Sequence, residues 1–450
     1  MKVSKWKVLG IAGALVLSYA VASDAAQLKV DEDTFADFGF WTKVMYNNLE
    51  ERDKSGPYDY NKNVIDVIDA RFTIEGQINK VVQFYGEAVS TGSYDDEYYE
   101  DYLSVSHRDS DFRLAEGGVN LIAAPELQLR IGKIRIPFTR MQLADEYARI
   151  NPIEPLNDPQ GIVTGILGHT GIVYEPYDVS NLTGLDVPNL LRFVDGGAVL
   201  HGDIAEGMLR YNIGVFNQGT DDQPFNSICW AVRVEFTPTM AGFNPETTST
   251  PKGWLKDTYL GKKGDILTIG VGYLSQDVDP DLTGDTYDEL DVDAYTVDVF
   301  LEKKFQSVII NLEGAYINLN ESHYEPKVEE DYYVSGNSKT KYGYFSIDPD
   351  KEGDTYLWYV QGQLLYDGVV GIGKPAIFAK YEYAELDGQG DDLEWYAWGA
   401  GINYYIEGNA ARLSAGFTNV SYDELAEDYL KVNDKEDNIT DFYVQAQIMF

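Results

Sequence analysis

The chain has one cysteine, Cys229, among 450 residues. No internal disulfide can form, and neither a zinc site of paired cysteines nor a Cys-x-x-Cys-His haem attachment is available. Histidine is nearly as scarce, and His107, His169, His201 and His323 form no nucleophile pattern with a nearby Ser or Asp. Paired carboxylates are so abundant that no single pair points to acid–base chemistry. An enzyme is therefore not expected, and no cofactor is expected either. Basic residues are few, 35 against 74 acidic ones, for a net charge of −39. Nucleic acid, which is bound by neutralising phosphates, is a poor partner for such a chain.

Long apolar runs are also missing. The longest is Val8 to Leu17, preceded by Lys2, Lys5 and Lys7 and followed by Ala20-Val21-Ala22 and Ala25-Ala26. It is shorter than the roughly 20 residues a spanning helix needs. A basic start, a short apolar core and small residues are the layout of a secretory signal peptide. The expected leader is 1–22, with cleavage alternatively as late as Ala26, and the rest is one domain, 27–450. The strand pattern begins almost directly after the leader, which leaves no room for a globular N-terminal plug of the kind a gated transporter carries.

What the chain has in quantity is alternation with a period of two. In the last segment Thr440, Phe442, Val444, Ala446, Ile448 and Phe450 share one face, and Asp441, Tyr443, Gln445 and Gln447 the other. Trp358, Val360, Leu364 and Tyr366 alternate with Tyr359, Gln361, Gln363 and Asp367 in the same way. Tyr and Trp sit near the ends of the apolar faces, as interfacial girdles require, and the 34 Tyr and 42 Gly suit them and tightly bent strands. A mean hydropathy of −0.30 is no objection, since only one face of each strand of a membrane barrel meets lipid.

The fold expected is all-β: a single transmembrane antiparallel β-barrel of sixteen strands in the outer membrane of a Gram-negative-type bacterium. The strands fall at 34–47, 64–77, 80–91, 112–123, 126–136, 197–205, 208–217, 228–238, 265–275, 291–303, 306–318, 354–367, 374–384, 393–406, 411–421 and 439–450. Eighteen is the alternative, with a further hairpin drawn from 165–176 and 239–264. Short connections alternate with long ones, as periplasmic turns alternate with extracellular loops. Segment 239–264 breaks the rule: it stands where a short turn belongs, yet it is long and rich in Pro, Thr and Lys.

The connection 137–196 is long and carries Pro137, Pro152, Pro155 and Pro159. A loop of that length in a compact fold is rarely idle. It is expected to fold into the barrel and narrow it, with Asp145, Glu146, Glu154 and Asp158 opposed by Arg140 and Arg149. The inward wall is expected to include Lys43, Arg71, Glu75, Glu87, Arg130, Arg233, Glu235, Glu313, Lys380, Glu382 and Arg412, with Asp69, Glu116, Arg210, Asp298 and Asp441 beside them. Asp277, Asp279, Asp281, Asp285 and Asp288, with Gly284 among them, offer oxygen ligands at short spacing, a candidate calcium site without the EF-hand pattern.

Gly132-Lys133-Ile134-Arg135-Ile136-Pro137-Phe138, following Leu127-Gln128-Leu129-Arg130, resembles the strand-to-loop passage of the phosphate-selective porins of the O and P type. Gly214-Val215-Phe216-Asn217 after Leu209-Arg210-Tyr211, and the terminal Phe450, resemble the same family. The resemblance implies a sixteen-stranded water-filled channel, usually trimeric, with the third extracellular loop folded inward and Phe450 read by the barrel-assembly machinery. It would sit among outer-membrane lipid and lipopolysaccharide. Phosphate selectivity in that family rests on inward Lys and Arg, whereas inward acids here match or outnumber bases. The reading from the residues is thus a porin for ions and small polar solutes, preferring cations. A specific phosphate or oxyanion channel is the first alternative. A barrel that sheathes an exported partner protein is the second.

Overall fold

The computed structural model describes residues 26–49, 62–90, 113–152, 194–217, 228–246, 253–278, 290–320, 327–335, 338–346, 355–386, 393–423 and 438–450. The expected leader 1–22, and the 165–176 part of the alternative extra hairpin, lie outside these residues. The strands are β1 Ala26–Lys29, β2 Phe35–Leu49, β3 Lys62–Asn79, β4 Val82–Ser90, β5 Arg113–Ala124, β6 Leu127–Arg135, β7 Val194–Ile204, β8 Leu209–Phe216, β9 Cys229–Phe236 and β10 Ile266–Val278. They continue as β11 Leu290–Phe305, β12 Val308–Asn320, β13 Lys327–Ser335, β14 Ser338–Ser346, β15 Thr355–Tyr366, β16 Lys374–Leu386, β17 Leu393–Tyr405, β18 Ala411–Asp423 and β19 Asn438–Met449. One helical turn, α1, spans Arg140–Leu143.

Sixteen of these strands, β2 to β12 and β15 to β19, pair antiparallel with their neighbours and close into a barrel. The closing seam joins β19 to β2, with Gln447 opposite Lys43 and Met449 opposite Trp41. Each matches a strand read from the alternation, with ends shifted by a few residues. Two features went unread. The short β1 lies along β2, with Leu28 opposite Ala36. The β13–β14 hairpin stands apart from the barrel sheet, in a connection read as loop. Segment 239–264 contributes no barrel strand among its described residues, so the eighteen-strand alternative falls away.

The barrel is apolar outside and polar inside, the reverse of a water-soluble protein. On β9 the outward Trp230 is 53% exposed while the neighbouring inward Arg233 is 0%. On β15, Trp358, Val360 and Leu364 face out and Gln361 and Gln363 are buried inside. A belt of rings crosses seven adjacent barrel strands through Tyr295, Tyr316, Tyr356, Trp358, Tyr381, Tyr396, Trp398, Phe417 and Phe442. Adjacent rings stand 4.9 to 6.5 Å apart along these contacts. At the other end Phe40 meets Phe72 at 5.1 Å and Phe450 at 5.6 Å. Aromatic rings at both rims of an apolar band are suited to the two interfaces of a bilayer.

The chain terminus belongs to the seam. Phe450 N–H donates to the Phe40 carbonyl at 3.1 Å, and Phe40 N–H to the Phe450 carbonyl at 2.6 Å. Deleting Phe450 removes this last rung and its ring contacts where the barrel must close. The expected result is less assembled barrel in the membrane fraction, read as the heat-modifiable band on a semi-native gel; an unchanged band would dissociate closure from this residue.

Candidate functional site

The inward loop leaves β6 at Pro137-Phe138. Gly272 on β10 lets it lie against the wall: a Cβ there would meet the Phe138 carbonyl oxygen at 2.3 Å. Thr139 then caps α1, its hydroxyl accepting from Gln142 N–H at 3.1 Å while Thr139 N–H donates to Gln142 Oε1 at 2.8 Å. A loop in the middle of a barrel has no strand beside it to satisfy its backbone, and a buried unpaired carbonyl is costly. Wall side chains supply the partners. Arg233 donates to the Phe138 carbonyl at 2.9 Å, Arg135 to Ala144 at 2.7 Å and Lys43 to Glu146 at 3.0 Å. Gln447 donates to Tyr147 at 2.6 Å, Arg412 to Arg149 at 2.5 Å and Asn403 to Ile150 at 2.7 Å. Residues 137–151 therefore cross the lumen from the β9–β11 wall to the β17–β19 wall.

A second segment meets this loop inside the barrel. It is the connection between β9 and β10, which the sequence left without an account. Glu246, Trp254, Lys256, Thr258, Tyr259 and Leu260 are all buried. Lys256 pairs with Ala144 in a parallel bridge. Asp145 N–H donates to the Lys256 carbonyl at 2.9 Å, Lys256 N–H to Leu143 at 2.8 Å and Thr258 N–H to Ala148 at 3.0 Å. Charge locks the junction: Arg140 holds Glu246 at 2.7 Å and Glu313 at 2.8 Å, and Lys256 reaches Glu235 at 2.5 Å.

The expected site residues divide between these surroundings. Arg140 is buried in its two ion pairs. Arg149 is buried too, one amino group 3.4 Å from the Met141 carbonyl. Glu146 keeps 31% of its side chain exposed and is bound to Arg71, which also holds Asp69 at 2.7 Å and Glu87 at 3.1 Å. Asp145 is partly exposed and accepts from Tyr147 N–H at 2.8 Å. Arg233 joins Glu235 and Asp298, Lys380 joins Glu382, and Glu313 also accepts from Gln361. Glu75 is half-buried on β3. Arg412 donates to Gln447 as well as to the loop. Arg130 is wholly buried, with no hydrogen-bond partner among the described residues, its guanidinium 3.8 Å from the centre of the Trp254 ring.

Glu154 and Asp158 lie outside the described residues, as do Asp279, Asp281, Asp285 and Asp288; Asp277 is placed only by its backbone, at the end of β10. The described residues contain no group of three or more ligating side chains that could hold a metal ion. Sequence reasoning missed Glu246, Trp254, Lys256 and Asp257. The available signal was the run Trp254-Leu255-Lys256-Asp257-Thr258-Tyr259-Leu260, too apolar for a turn left in water.

The environment sets the charge on these groups. Burial opposes the Glu146 carboxylate, but Arg71, Lys43 and Arg149 outweigh it and hold the group well below the usual carboxylate range. Burial pushes the Asp257 carboxyl up to about 8, and the facing acids Asp145 and Glu302 add to the rise. Asn409 donates to Asp257 Oδ1 at 2.8 Å. Burial lowers the Lys256 ammonium against the pull of Glu235 and Glu246.

No family model matches the sequence, and no curated protein matches it. Among solved structures, the chain is similar to an anion-selective porin from Comamonas acidovorans. The identity is 11% and the TM-score 0.51, over 93% of this chain and all of that one. OmpT of Vibrio cholerae, outer-membrane expressed, matches at 12% identity and a TM-score of 0.49 over 94% of this chain and all of its own. A trimer form of in-vitro folded OmpT matches at 11% and 0.49 over 93% and 100%. At such identities the likeness to the Comamonas porin is one of fold: a closed antiparallel barrel.

Two outcomes follow from the buried charges. Arg140→Ala takes the arginine from Glu313 and leaves Glu246 with Lys256 at 3.8 Å, and breaking one side of a buried ion pair costs about 3–5 kcal/mol. Denaturant unfolding in detergent should show a loss of that size. Asp257 has a higher pKa folded than unfolded, so protonation favours the folded state. Its contribution is whole below about pH 4, the unfolded range of a carboxyl, declines as the pH rises, and is gone once the pH passes the folded value near 8. The unfolding midpoint of the wild type should therefore fall relative to Asp257→Asn between pH 5 and pH 9; parallel profiles would count against it.

Proposed function

We propose that this chain is a porin-like channel of the outer membrane, for passive diffusion of ions and small hydrophilic solutes. One observation carries the reading: an apolar-outside barrel whose wall side chains are spent on holding a charged loop across its polar lumen. The leader-like N-terminus agrees with export. The resemblance to the O and P type porins adds a homotrimer set in lipid and lipopolysaccharide after handling by the barrel-assembly machinery. A sheath for a partner protein is disfavoured, because two segments of the chain itself take up the lumen.

Within this reading the channel prefers cations. Asp145 and Glu146 are partly exposed on the inward loop, and the chain as a whole is strongly acidic. A second reading, an anion path, draws on Arg130, whose guanidinium has no hydrogen-bond partner among the described residues, on the resemblance to phosphate-selective porins, and on the Comamonas porin described as anion-selective. Glu154 and Asp158 remain part of the proposed constriction, with Arg140 and Arg149 opposing, and the five loop aspartates remain a proposed calcium site.

Reversal potentials in a planar bilayer under a salt gradient separate the readings. The wild type should favour cations. Asp145→Asn with Glu146→Gln should shift it toward anions, more at low salt, because the screening length contracts from about 30 Å at 0.01 M to about 10 Å at 0.1 M. Anion preference in the wild type, or no shift at low salt, would leave the anion path as the better account.

A further inference from the structure

Resting on the reading as a channel, we propose that the β9–β10 connection, through Glu246 and residues 253–260, is a plug that limits passage from the short-turn end of the barrel. The other short-end connections run only a few residues, from β3 to β4, β5 to β6, β7 to β8, β11 to β12, β15 to β16 and β17 to β18. A turn of that kind lies in water. This one turns inward instead. Lys256 and Glu246 are 1% and 2% exposed, values foreign to a surface turn.

The segment reaches most of the way round the lumen. Trp254 covers Arg130 of β6 and stands 5.6 Å from the Tyr85 ring of β4. Lys256 is tied to Glu235 of β9, and Arg140 couples Glu246 to Glu313 of β12. Leu260 N–H and Gly261 N–H donate to Glu302 of β11 at 3.0 and 2.7 Å. Asn409, in the turn after β17, donates to the Thr258 carbonyl at 3.0 Å. With the inward loop joined to it by backbone hydrogen bonds, the two form one cross-piece. Inward side chains on the surrounding walls, such as Thr268, Thr296, Asn311 and Gln361, are buried accordingly.

Its two ends are held by different forces. Near its C-terminal end, Leu260 packs with Ile309, Leu365, Ala376 and Tyr405, and Tyr259 with Ile266 and Phe300. Apolar burial of that kind has no substitute in water. Glu246 and Lys256 are held by ion pairs, and water can replace a buried pair at little net cost, because desolvation consumes most of the attraction. Gly242 and Gly261, at φ of 88° and 78°, stand at the two ends in a conformation that favours glycine. The plug is thus anchored by apolar packing at its C-terminal end, while the remainder is held by ion pairs, by Trp254 against Arg130 and Tyr85, and by backbone hydrogen bonds to the inward loop.

Single-channel recording on the full-length barrel tests this with two variants, each accepted after its heat-modifiable migration shows an intact barrel. The first replaces 240–263 by a short Asn-Gly-containing turn. The second, Glu246→Lys, keeps the chain length and sets a cation against Arg140. Both should raise conductance several-fold over the wild type, the first more than the second. Where the shortened chain does not assemble, Glu246→Lys alone decides by the same readout. A conducting wild type with unchanged conductance in the assembled variants overturns the plug. No conductance in wild type or variants overturns the channel reading instead.

Discussion

A backbone that crosses the apolar layer of a bilayer must pair every N–H and C=O within the protein, because no water is there to take them. Where no helix of the described residues is long and apolar enough to span, closure of the sheet is the solution, and the β19–β2 seam is where it is made. Everything else follows from that constraint. Once the edges are gone, one face of each strand is free to be greasy and the other is confined to a lumen that must be filled or wetted. Phe450 lies in the last rung of the seam, hydrogen-bonded in both directions to Phe40.

The same rule reappears inside. Beyond its short bridge to Lys256, the loop backbone in the lumen is satisfied by long donors from the wall, Arg and Lys among them, aimed at carbonyls. Lys43 and Arg412 each give a hydrogen bond to the loop's main chain, and Arg233 gives one as well as pairing with Glu235 and Asp298. An interior of that kind is specified by geometry more than by net attraction, since a buried ion pair stabilises little and its loss is costly. The loop's position is thereby determined by many weak, directional contacts around the circumference.

Two chain segments, entering from opposite ends, share the lumen. The loop after β6 is the one that its length and prolines single out. The connection after β9 is the unexpected one, and its backbone bridge to the loop at Ala144 and Lys256 makes their placements interdependent. The two elements are joined through Arg140 and Glu246, so that a change in either is felt by the other.

Strand positions, barrel size and the sidedness of each strand were legible in the sequence, because alternation at period two is local: Trp358 out and Gln361 in can be read from neighbours along the chain. The length and prolines of 137–196 singled out the connection whose described part, 137–152, lies in the lumen. The short β1, the β13–β14 hairpin and the burial of Glu246 and of 254–260 were not legible, since a brief or irregular segment carries too little periodicity to declare its surroundings. The pairing inside the lumen was beyond reach for another reason. Arg140 and Glu246 are 106 residues apart, and Gln447 and Tyr147 are 300. Nothing local distinguishes those partners from other inward acids, bases and amides. The sequence by itself determined a closed barrel with a polar interior, because burial pattern is a property of each strand. Only the tertiary structure decided what fills that interior and which charges meet there, because those contacts exist only once closure has brought distant strands to face one another.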